Sequence, residues 1–535
     1  MRKTEDMKIK FLGIIPWYKN KNLELSPQEV AAFSGLLTFR GDSVEDLIKE
    51  AQEKGQDISK KVKFILRKSS LKGHASMATM PVFCFTFEGS KMVGSMMTGI
   101  MYSSALMHSG RRADVGRDHN VYPKSILENE EALKLYKDAA FNNIDTFNKL
   151  LELGIIKDES GKILHYGTYG TGIITLPAES LATFAREVEN ESSWMPEEGK
   201  IIVKKMQSEL KALGIDLLYA TRSVAPKNTL PYPNLFKDPA KNNFVRDIAE
   251  DRDLEDTELK VIGVDSYLGK GFERRVKEVK DYQDKLFADK ELLKREWKEL
   301  LNLKRNLIRD YQNAFSLKTY SNVSWRVWRD KKRHRTASVT TESIYYGLEQ
   351  ALKITNKFKD EFNSKRVISD EAIEAIDKVF AIPLKLRKNP EALEKYLDCT
   401  FSSMGTYEKL LGMGVKPSDA VFIIPRAFRI KMIQEYNLYN IMDGYYPLRS
   451  CPTADEQILR QTRDEIKQLT EILDEKELSF MNWLVGPKCM GPGFCPEEKT
   501  CGYIKKHVKD YDDDFHEEMK ENLEELFLQK MDEIN

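Results

Sequence analysis

The chain has 535 residues, and its 84 Lys and Arg residues balance its 84 Asp and Glu residues. This length has room for two to four domains of roughly 150 residues each. A formal net charge of zero gives no general attraction to nucleic acid or to an anionic membrane. No apolar run approaches the roughly 18 residues of a membrane span, the start lacks a signal core, and six cysteines favour a reducing compartment. We therefore expect a cytoplasmic protein without membrane or nucleic-acid partners.

Predicted elements recur along the chain in the same order. A β-like segment opens each half, KIKFLGII from Lys8 and LKVIGV from Leu259. A helix closed by glycine, FNNIDTFNKLLELGI at 141–155, is matched 260 positions later by FSSMGTYEKLLGMGV at 401–415. The helical segment from Met195 parallels the one from Cys451 at an offset of 256 residues. Three matches in one order predict a tandem duplication.

The repeats set the expected domain boundaries. The first copy occupies residues 1–235, and a linker is placed at 236–257 because a stretch rich in Pro and Asn runs from Pro226 into it. The second copy occupies 258–480, and residues 481–535 form a Cys-rich segment with Gly and Pro, followed by an acidic amphipathic helix.

Two further segments have predicted structures. Residues 272–311 carry an apolar stripe at helical spacing and predict one long helix or a bent pair of helices. The stretch GTYGTG, from Gly167, is rich in glycine without forming a G-x-G-x-x-G motif, so we predict a turn there.

The motif that says most about function lies in the second copy. Arg333, His334 and Arg335 are adjacent and are followed by seven residues and then Ser343. Adjacent cationic side chains repel each other, and a fold keeps them together when anions or aromatic rings compensate. A flavin dinucleotide offers a pyrophosphate and an electron-poor ring. A solvated basic turn is the alternative interpretation.

Arg-His-Arg, seven residues and Ser is the motif of the flavin-dependent thymidylate synthases, and the chain resembles that family. The family's Gly-His-x-Ser turn is matched by 73–76, before the strand PVFCFTFEG. Its late Arg, five residues before an Ala that opens a helix, is matched by Arg449, and its Asn after Leu-Pro by Asn437. The resemblance implies an α/β (α+β) fold of two tandem family-like units, each a mostly antiparallel sheet with helices, plus the C-terminal Cys/Gly/Pro-rich segment and helix.

The two copies have lost complementary parts of the motif. An offset of 234 residues aligns Ser90 with Ser324, and it places the triplet on residues 99–101 of the first copy, which lack it. The same frame aligns Ser343 with Ser109, which opens a family-like Ser-x-Arg that the second copy lacks. The second copy also lacks the Gly-His-x-Ser turn. We therefore predict one kind of site to which both copies contribute.

The resemblance implies transfer of a one-carbon unit from methylenetetrahydrofolate to dUMP or a related pyrimidine nucleotide, with FAD as cofactor and NADPH as reductant. It also implies a homodimer of tandem chains that forms a pseudo-tetramer. A non-catalytic flavin- or nucleotide-binding scaffold is the alternative. The implied catalytic residues are His334 and Arg335. The implied flavin ligands are His74, Ser76, Arg333, His334 and Arg335, and the implied substrate ligands are Ser109, Arg111, Arg449 and Ser343.

Several family positions are not matched, and they bear mainly on the substrate side. The Arg before the triplet is Trp325, and the Gln three residues before it is Asp330. The Arg four residues before the Leu-Pro proline is Val421 in the second copy and Ile173 in the first. Arg426 or Arg429 are the available substitutes for that lost Arg.

The tail contains Cys489, Cys495 and Cys501, with five residues in each interval, and Cys451 is a fourth candidate. A four-cysteine zinc or iron–sulfur site is one interpretation. A Gly/Pro loop with reduced thiols is the other, because paired zinc cysteines usually stand two to four residues apart. We assign no metal on sequence grounds and keep these cysteines as candidates.

Overall fold

A computed structural model describes residues 1–534, except for 17, 20–23, 110–114, 228–229, 242 and 366–368. The chain forms two compact units. Unit 1 comprises Met1–Arg246, Ser324–Arg333 and Thr341–Ile430, and unit 2 comprises Asp247–Val323, His334–Thr340 and Lys431–Asn535. No helix in the described part of the chain is long and apolar enough to cross a membrane. The units do not follow the predicted repeat boundaries, which remain a prediction about the sequence.

Unit 1 contains a four-stranded sheet of β1 (Lys8–Ile15), β2 (Val82–Ser90), β3 (Ser104–Met107) and β4 (Tyr169–Pro177). The strand order is β1-β2-β4-β3, and the neighbouring strands are antiparallel. Alternate residues of β2 are buried, as the period of a strand with one face on the core requires. Two short strand pairs, Arg2–Lys3 with Val121–Tyr122 and Tyr18–Lys19 with Glu24–Leu25, lie outside this sheet.

Helices make up most of the rest of unit 1. They are Pro27–Arg40, Val44–Glu53, Ile58–Lys68, Ser76–Thr79, Met92–Met97, Lys124–Leu127, Glu130–Glu152, Lys157–Ser160, Ala178–Asn190, Glu197–Ala212, Leu217–Ser223, Trp325–Lys331, Ile344–Lys365, Asp370–Asp377, Leu384–Arg387, Pro390–Gly412 and Pro417–Ala420.

The predicted turn at GTYGTG is wrong, because Gly170 and Gly172 lie inside β4. A Cβ atom on Gly172 would lie 2.5 Å from the Phe87 ring and 2.8 Å from the carbonyl oxygen of Leu106. Glycine is therefore required there for close packing across the sheet rather than for a turn.

A second four-stranded sheet contains β5 (Leu259–Ser266), β6 (Phe315–Ser324), β7 (Ser338–Thr341) and β8 (Arg429–Asn437). Its order is β5-β6-β8-β7, so its first, second, fourth and third strands are neighbours, as in the first sheet. β7 lies 234 positions after β3, and β8 lies 260 positions after β4. The same two offsets were obtained from the motifs, which supports the predicted duplication.

Two long helices at equivalent positions of the repeat pack against each other within unit 1. They are Glu130–Glu152 and Pro390–Gly412. At their interface the Ser403 hydroxyl donates to Oδ1 of Asn143 across 3.2 Å. These residues are 260 positions apart, so each is the counterpart of the other in the repeat frame. A residue that meets its own counterpart is the signature of a two-fold axis.

Backbone hydrogen bonds beside these helices show the same two-fold relationship. The amide of Gly167 donates to the carbonyl of Phe422 across 3.0 Å, and the amide of Ala427 donates to the carbonyl of Lys162 across 2.8 Å. The donor of the second pair lies 260 positions after the donor of the first, and its acceptor lies 260 positions before the acceptor of the first, so the two copies exchange places. Reciprocal contacts of this kind are expected when two copies of one ancestral surface face each other.

Unit 2 contains the helices Lys270–Phe287, Lys290–Tyr311, Tyr446–Arg449, Glu456–Glu475 and Asp513–Ile534, and a π-helical turn at Asn440–Gly444. The predicted long helix is thus the bent pair. Asp289 sets the bend, because its side chain accepts hydrogen bonds from the amides of Glu291 and Leu292 and begins the second helix.

The segment predicted as a linker contains residues that pack into the fold. Leu235 and Phe236 are buried, and Asn234 holds the chain by donating to the carbonyl of Phe236 and accepting from its amide. The helix Phe244–Asp251 follows. Proline and asparagine here specify a packed turn rather than a free connection.

Candidate functional site

The Arg-His-Arg triplet lies between the helix Trp325–Lys331 and β7. Ser324 begins that helix by accepting a hydrogen bond from the amide of Val327. The helix ends just before the triplet, and the boundary between the two compact units falls within it, after Arg333.

His334 is held by two residues of unit 2. Nε of Arg449 donates to Nε2 of His334 across 3.0 Å, and the ring of Tyr445 meets the imidazole edge-on at 4.9 Å. Because Nε2 accepts this hydrogen bond, the neutral imidazole carries its proton on Nδ1. The sequence assigned His334 and Arg449 to one site, and the structure brings them together.

The loop that follows the triplet is held by another residue of unit 2. Nδ2 of Asn440 donates to the hydroxyl of Thr336 across 2.7 Å. Asn440 in turn exchanges two hydrogen bonds with Asn437, the family-like Asn at the end of β8. Asn440 also begins the π-helical turn, a feature that is frequent at functional sites. Sequence analysis missed both Asn440 and Tyr445, because neither belongs to the motif.

The two arginines of the triplet are exposed. Arg333 lies 3.8 Å from Asp330 through its guanidinium, so the acid that replaces the family's Gln offsets part of the local positive charge. Partial burial lowers the pKa of Arg335 below its ordinary value.

Unit 1 contains a buried lysine beside one predicted substrate residue. Nζ of Lys91 donates to the carbonyl oxygens of His108 and Ser109, at 3.0 and 3.3 Å. Burial, reinforced by the positive charges of Arg426 and Arg329, lowers the pKa of Lys91 to about 6. Protonation of Lys91 would therefore add a third positive charge beside those of Arg426 and Arg329.

Arg426, one of the two possible substitutes for the lost family Arg, belongs to this cationic cluster. It is buried and donates from Nη2 to the hydroxyl of Thr168 across 2.7 Å. Burial and the charges of Arg329 and Arg326 lower the pKa of Arg426 to about 9, although Tyr166 opposes this shift. The other substitute, Arg429, is engaged in an ion pair with Asp377 at 3.1 Å.

Aromatic rings accompany these cations. The guanidinium groups of Arg329 and Arg426 lie 5.4 and 5.6 Å from the centre of the Tyr166 ring. Trp325, where the family has Arg, packs on Tyr166 at 4.1 Å and donates to the hydroxyl of Ser95. Among the described residues, the buried Nε atoms of Arg329 and Arg426 have no hydrogen-bond partner. Guanidinium donors left in this state fit an anionic ligand.

The other predicted residues have varied environments. His74 and Ser76 are exposed, after a turn in which Gly73 has φ 108°. Ser343 is buried and donates to the carbonyl of Lys237 across 2.6 Å, so its hydroxyl proton is engaged. Arg111 lies outside the described residues.

Comparisons with known proteins match part of the chain, and the family model matches the part that contains the triplet. Residues 312–473 match the family model described as thymidylate synthase complementing protein. A flavin-dependent thymidylate synthase from Thermococcus onnurineus (strain NA1) is 32% identical over 168 residues, which cover 31% of this chain and 58% of the relative. One from Pyrococcus furiosus is 27% identical over 183 residues, which cover 34% of this chain and 65% of the relative.

Two solved structures are also similar to part of the chain. The UMP/dUMP methylase PolB from Streptomyces cacaoi, bound with 5-Br dUMP, matches with a TM-score of 0.33 and 13% identity over 42% of this chain and 99% of its own. Thymidylate Synthase X from Helicobacter pylori, with FAD and dUMP, matches with a TM-score of 0.30 and 15% identity over 40% of this chain and 99% of its own.

These sequence matches show similarity to the flavin-dependent thymidylate synthases over about a third of the chain. The region that matches the family model contains the Arg-His-Arg motif. The chain spans 58–65% of the length of these two curated relatives. The observed mixture of helices and antiparallel strands agrees with the predicted fold class.

Proposed function

We propose that this chain is an FAD-dependent enzyme that transfers a one-carbon unit from methylenetetrahydrofolate to dUMP or a related pyrimidine nucleotide, with NADPH as the reductant. The observation that carries the proposal is the hydrogen bond from Arg449 to His334. These two residues of the family motif are 115 positions apart, and a solvated basic turn would give no reason for them to meet.

His334 is the proposed residue for orienting the flavin. Its Nε2 accepts a hydrogen bond from Arg449 and its ring contacts Tyr445 edge-on, so these two residues fix the orientation of the imidazole. FAD, when bound, would supply the hydride. Arg333 and Arg335, which are exposed, would stabilise negative charge on phosphate or on the reduced flavin ring.

The cationic cluster of unit 1 is the proposed phosphate-binding element for the nucleotide. Lys91, Arg329 and Arg426 converge there, and the buried Nε atoms of the two arginines have no hydrogen-bond partner among the described residues. A phosphate group would accept those hydrogen bonds and would favour the protonated form of Lys91. This cluster compensates for the family Arg that is absent at Val421 and at Ile173.

The first test is the chemistry itself. The purified full-length chain should bind FAD, oxidise NADPH when dUMP and methylenetetrahydrofolate are present, and form dTMP detectable by chromatography. UMP supplied instead of dUMP distinguishes a related nucleotide as acceptor. Protein that binds FAD without turning over either nucleotide would support the scaffold alternative, and protein that takes up no FAD would exclude the flavin site.

The second test concerns the residues. His334→Ala and Arg449→Met should abolish turnover, whereas the exposed control His507→Ala in the same unit should retain it. The contribution of both sequence copies stays a prediction. It requires Arg111→Ala and Arg333→Ala each to abolish the same activity, and full activity in either variant would contradict it.

A further inference from the structure

Four of the six cysteines line a single cavity of about 350 Å³ in unit 2. Cys451 follows the short helix that contains Arg449, whereas Cys489, Cys495 and Cys501 belong to the Gly- and Pro-rich tail. All four are free thiols, and the first three are buried. The fold thus brings Cys451 to the three evenly spaced cysteines, which spacing alone did not predict.

The four thiols share the lining of one cavity. Several thiolates in one place repel each other unless a cation lies between them. A metal centre removes this penalty, because it displaces the thiol protons and binds the sulfurs.

Backbone contacts in the Gly- and Pro-rich tail hold Cys489 and Cys495 in place. Gly493 has φ 85°, and a Cβ atom there would lie 2.7 Å from Phe287 and 2.8 Å from Leu293. The amide of Gly493 donates to the carbonyl of Cys489 across 3.0 Å, which closes the turn between Cys489 and Cys495. The amide of Cys495 donates to the hydroxyl of Tyr511 across 3.2 Å. The glycine and the anchored amide keep both cysteines at the cavity.

The cavity wall also carries groups that suit a negatively charged centre. Arg463 and Lys488 belong to the lining and bring positive charge to the cavity. The hydroxyl of Thr453 donates to Sγ of Cys451 across 3.5 Å. Hydrogen bonds to ligating sulfurs and neighbouring positive charges stabilise iron–sulfur centres.

The distance between the ligands distinguishes between metals. A zinc ion binds each of four sulfurs at about 2.3 Å, so it requires the four thiols to lie close together. Within the described ranges, no three His, Cys, Asp or Glu side chains are placed to hold a single metal ion. A polynuclear cluster separates its cysteine ligands more widely and fills the space between them. We propose that Cys451, Cys489, Cys495 and Cys501 bind a [4Fe–4S] cluster.

The test starts with the wild-type chain, purified without oxygen and reconstituted with iron and sulfide. We expect about four iron and four inorganic sulfide per chain, since that is the composition of the cluster. Dithionite should produce a low-temperature paramagnetic resonance signal that flavin does not give. One zinc per chain without sulfide would overturn the cluster in favour of a mononuclear site, and protein without bound metal would overturn both.

Variants assign the ligands. Cys489→Ser and Cys495→Ser should each lose the iron, the sulfide and the resonance signal. The matched control Cys84→Ser, in β2 of unit 1, should retain all three. Circular dichroism identifies any variant that fails to fold, and the metal content of the wild-type protein decides the proposal independently. Retention of a complete cluster by both folded tail variants would refute this ligand assignment.

Discussion

Nε of Arg449 donates a hydrogen bond to Nε2 of His334 across 3.0 Å. If this pair acts as a unit in flavin binding, Arg449→Met and His334→Ala should each weaken FAD binding. The double variant should then lose less binding free energy than the sum of the two single losses. We expect a coupling free energy of roughly 1–3 kcal/mol, because one partner is charged. Calorimetric titration of the four proteins with FAD measures it, and strictly additive losses would show that the two residues act separately.

Lys91 should make anion binding in unit 1 depend on pH. Its pKa of about 6 means that the amine is largely neutral at pH 8 and becomes protonated as the pH falls through 6. Affinity for sulfate, which does not titrate in this range, should therefore increase several-fold between pH 8 and pH 6. Lys91→Met should remove that increase while Arg426 still binds weakly. Equal affinity of the wild-type protein at both pH values would argue against the cluster as an anion site.

Glu198 should make stability depend on pH in a definite direction. It is buried and accepts a 2.9 Å hydrogen bond from the amide of Ser90. Burial, opposed by the hydrogen bonds from Ser90, raises the pKa of Glu198 to about 7. Because the folded pKa exceeds the unfolded value, this stabilisation is complete below about pH 4.3 and is lost as the pH rises through 7.

Glu198→Gln removes the titrating group and keeps an amide of similar shape. We expect the variant to be more stable than the wild type at pH 8 by about 2–3 kcal/mol, with little difference at pH 5. Chemical denaturation at the two pH values measures the difference. The exposed Glu189→Gln should show no such dependence. A variant that is less stable than the wild type at pH 8 would reverse the predicted sign.

The two-fold contact between Asn143 and Ser403 should contribute to folding. Asn143 accepts from Ser403 and also donates to the carbonyl of Ile163 across 2.9 Å, so Asn143→Ala leaves buried polar groups unsatisfied. We expect a loss of about 2–3 kcal/mol in the free energy of unfolding. Ser403→Ala should lose less, about 1 kcal/mol. Denaturant titration compares them, and additive losses in the double variant would show that the pair is not coupled.

Local sequence patterns predicted many of the secondary-structure elements of this protein. The strands predicted at KIKFLGII, PVFCFTFEG and LKVIGV and the helices predicted at 141–155 and 401–415 are confirmed, since each depends on the residues of one element. The turn predicted at GTYGTG was wrong because that prediction also considered one segment by itself. Glycine favours turns locally, whereas the Phe87 ring and the Leu106 carbonyl, which come from other strands, require it inside β4.

The sequence alone determined the triplet, the three repeat offsets and the identity of the cysteines, because these are properties of residue order. Only the tertiary structure decided that Arg449 would meet His334, that Lys91 and Arg426 would share a buried cationic cluster, and that Cys451 would reach the other three thiols. Contacts between residues so far apart in the chain depend on how whole elements pack, and packing free energy is spread over many side chains that no short motif contains.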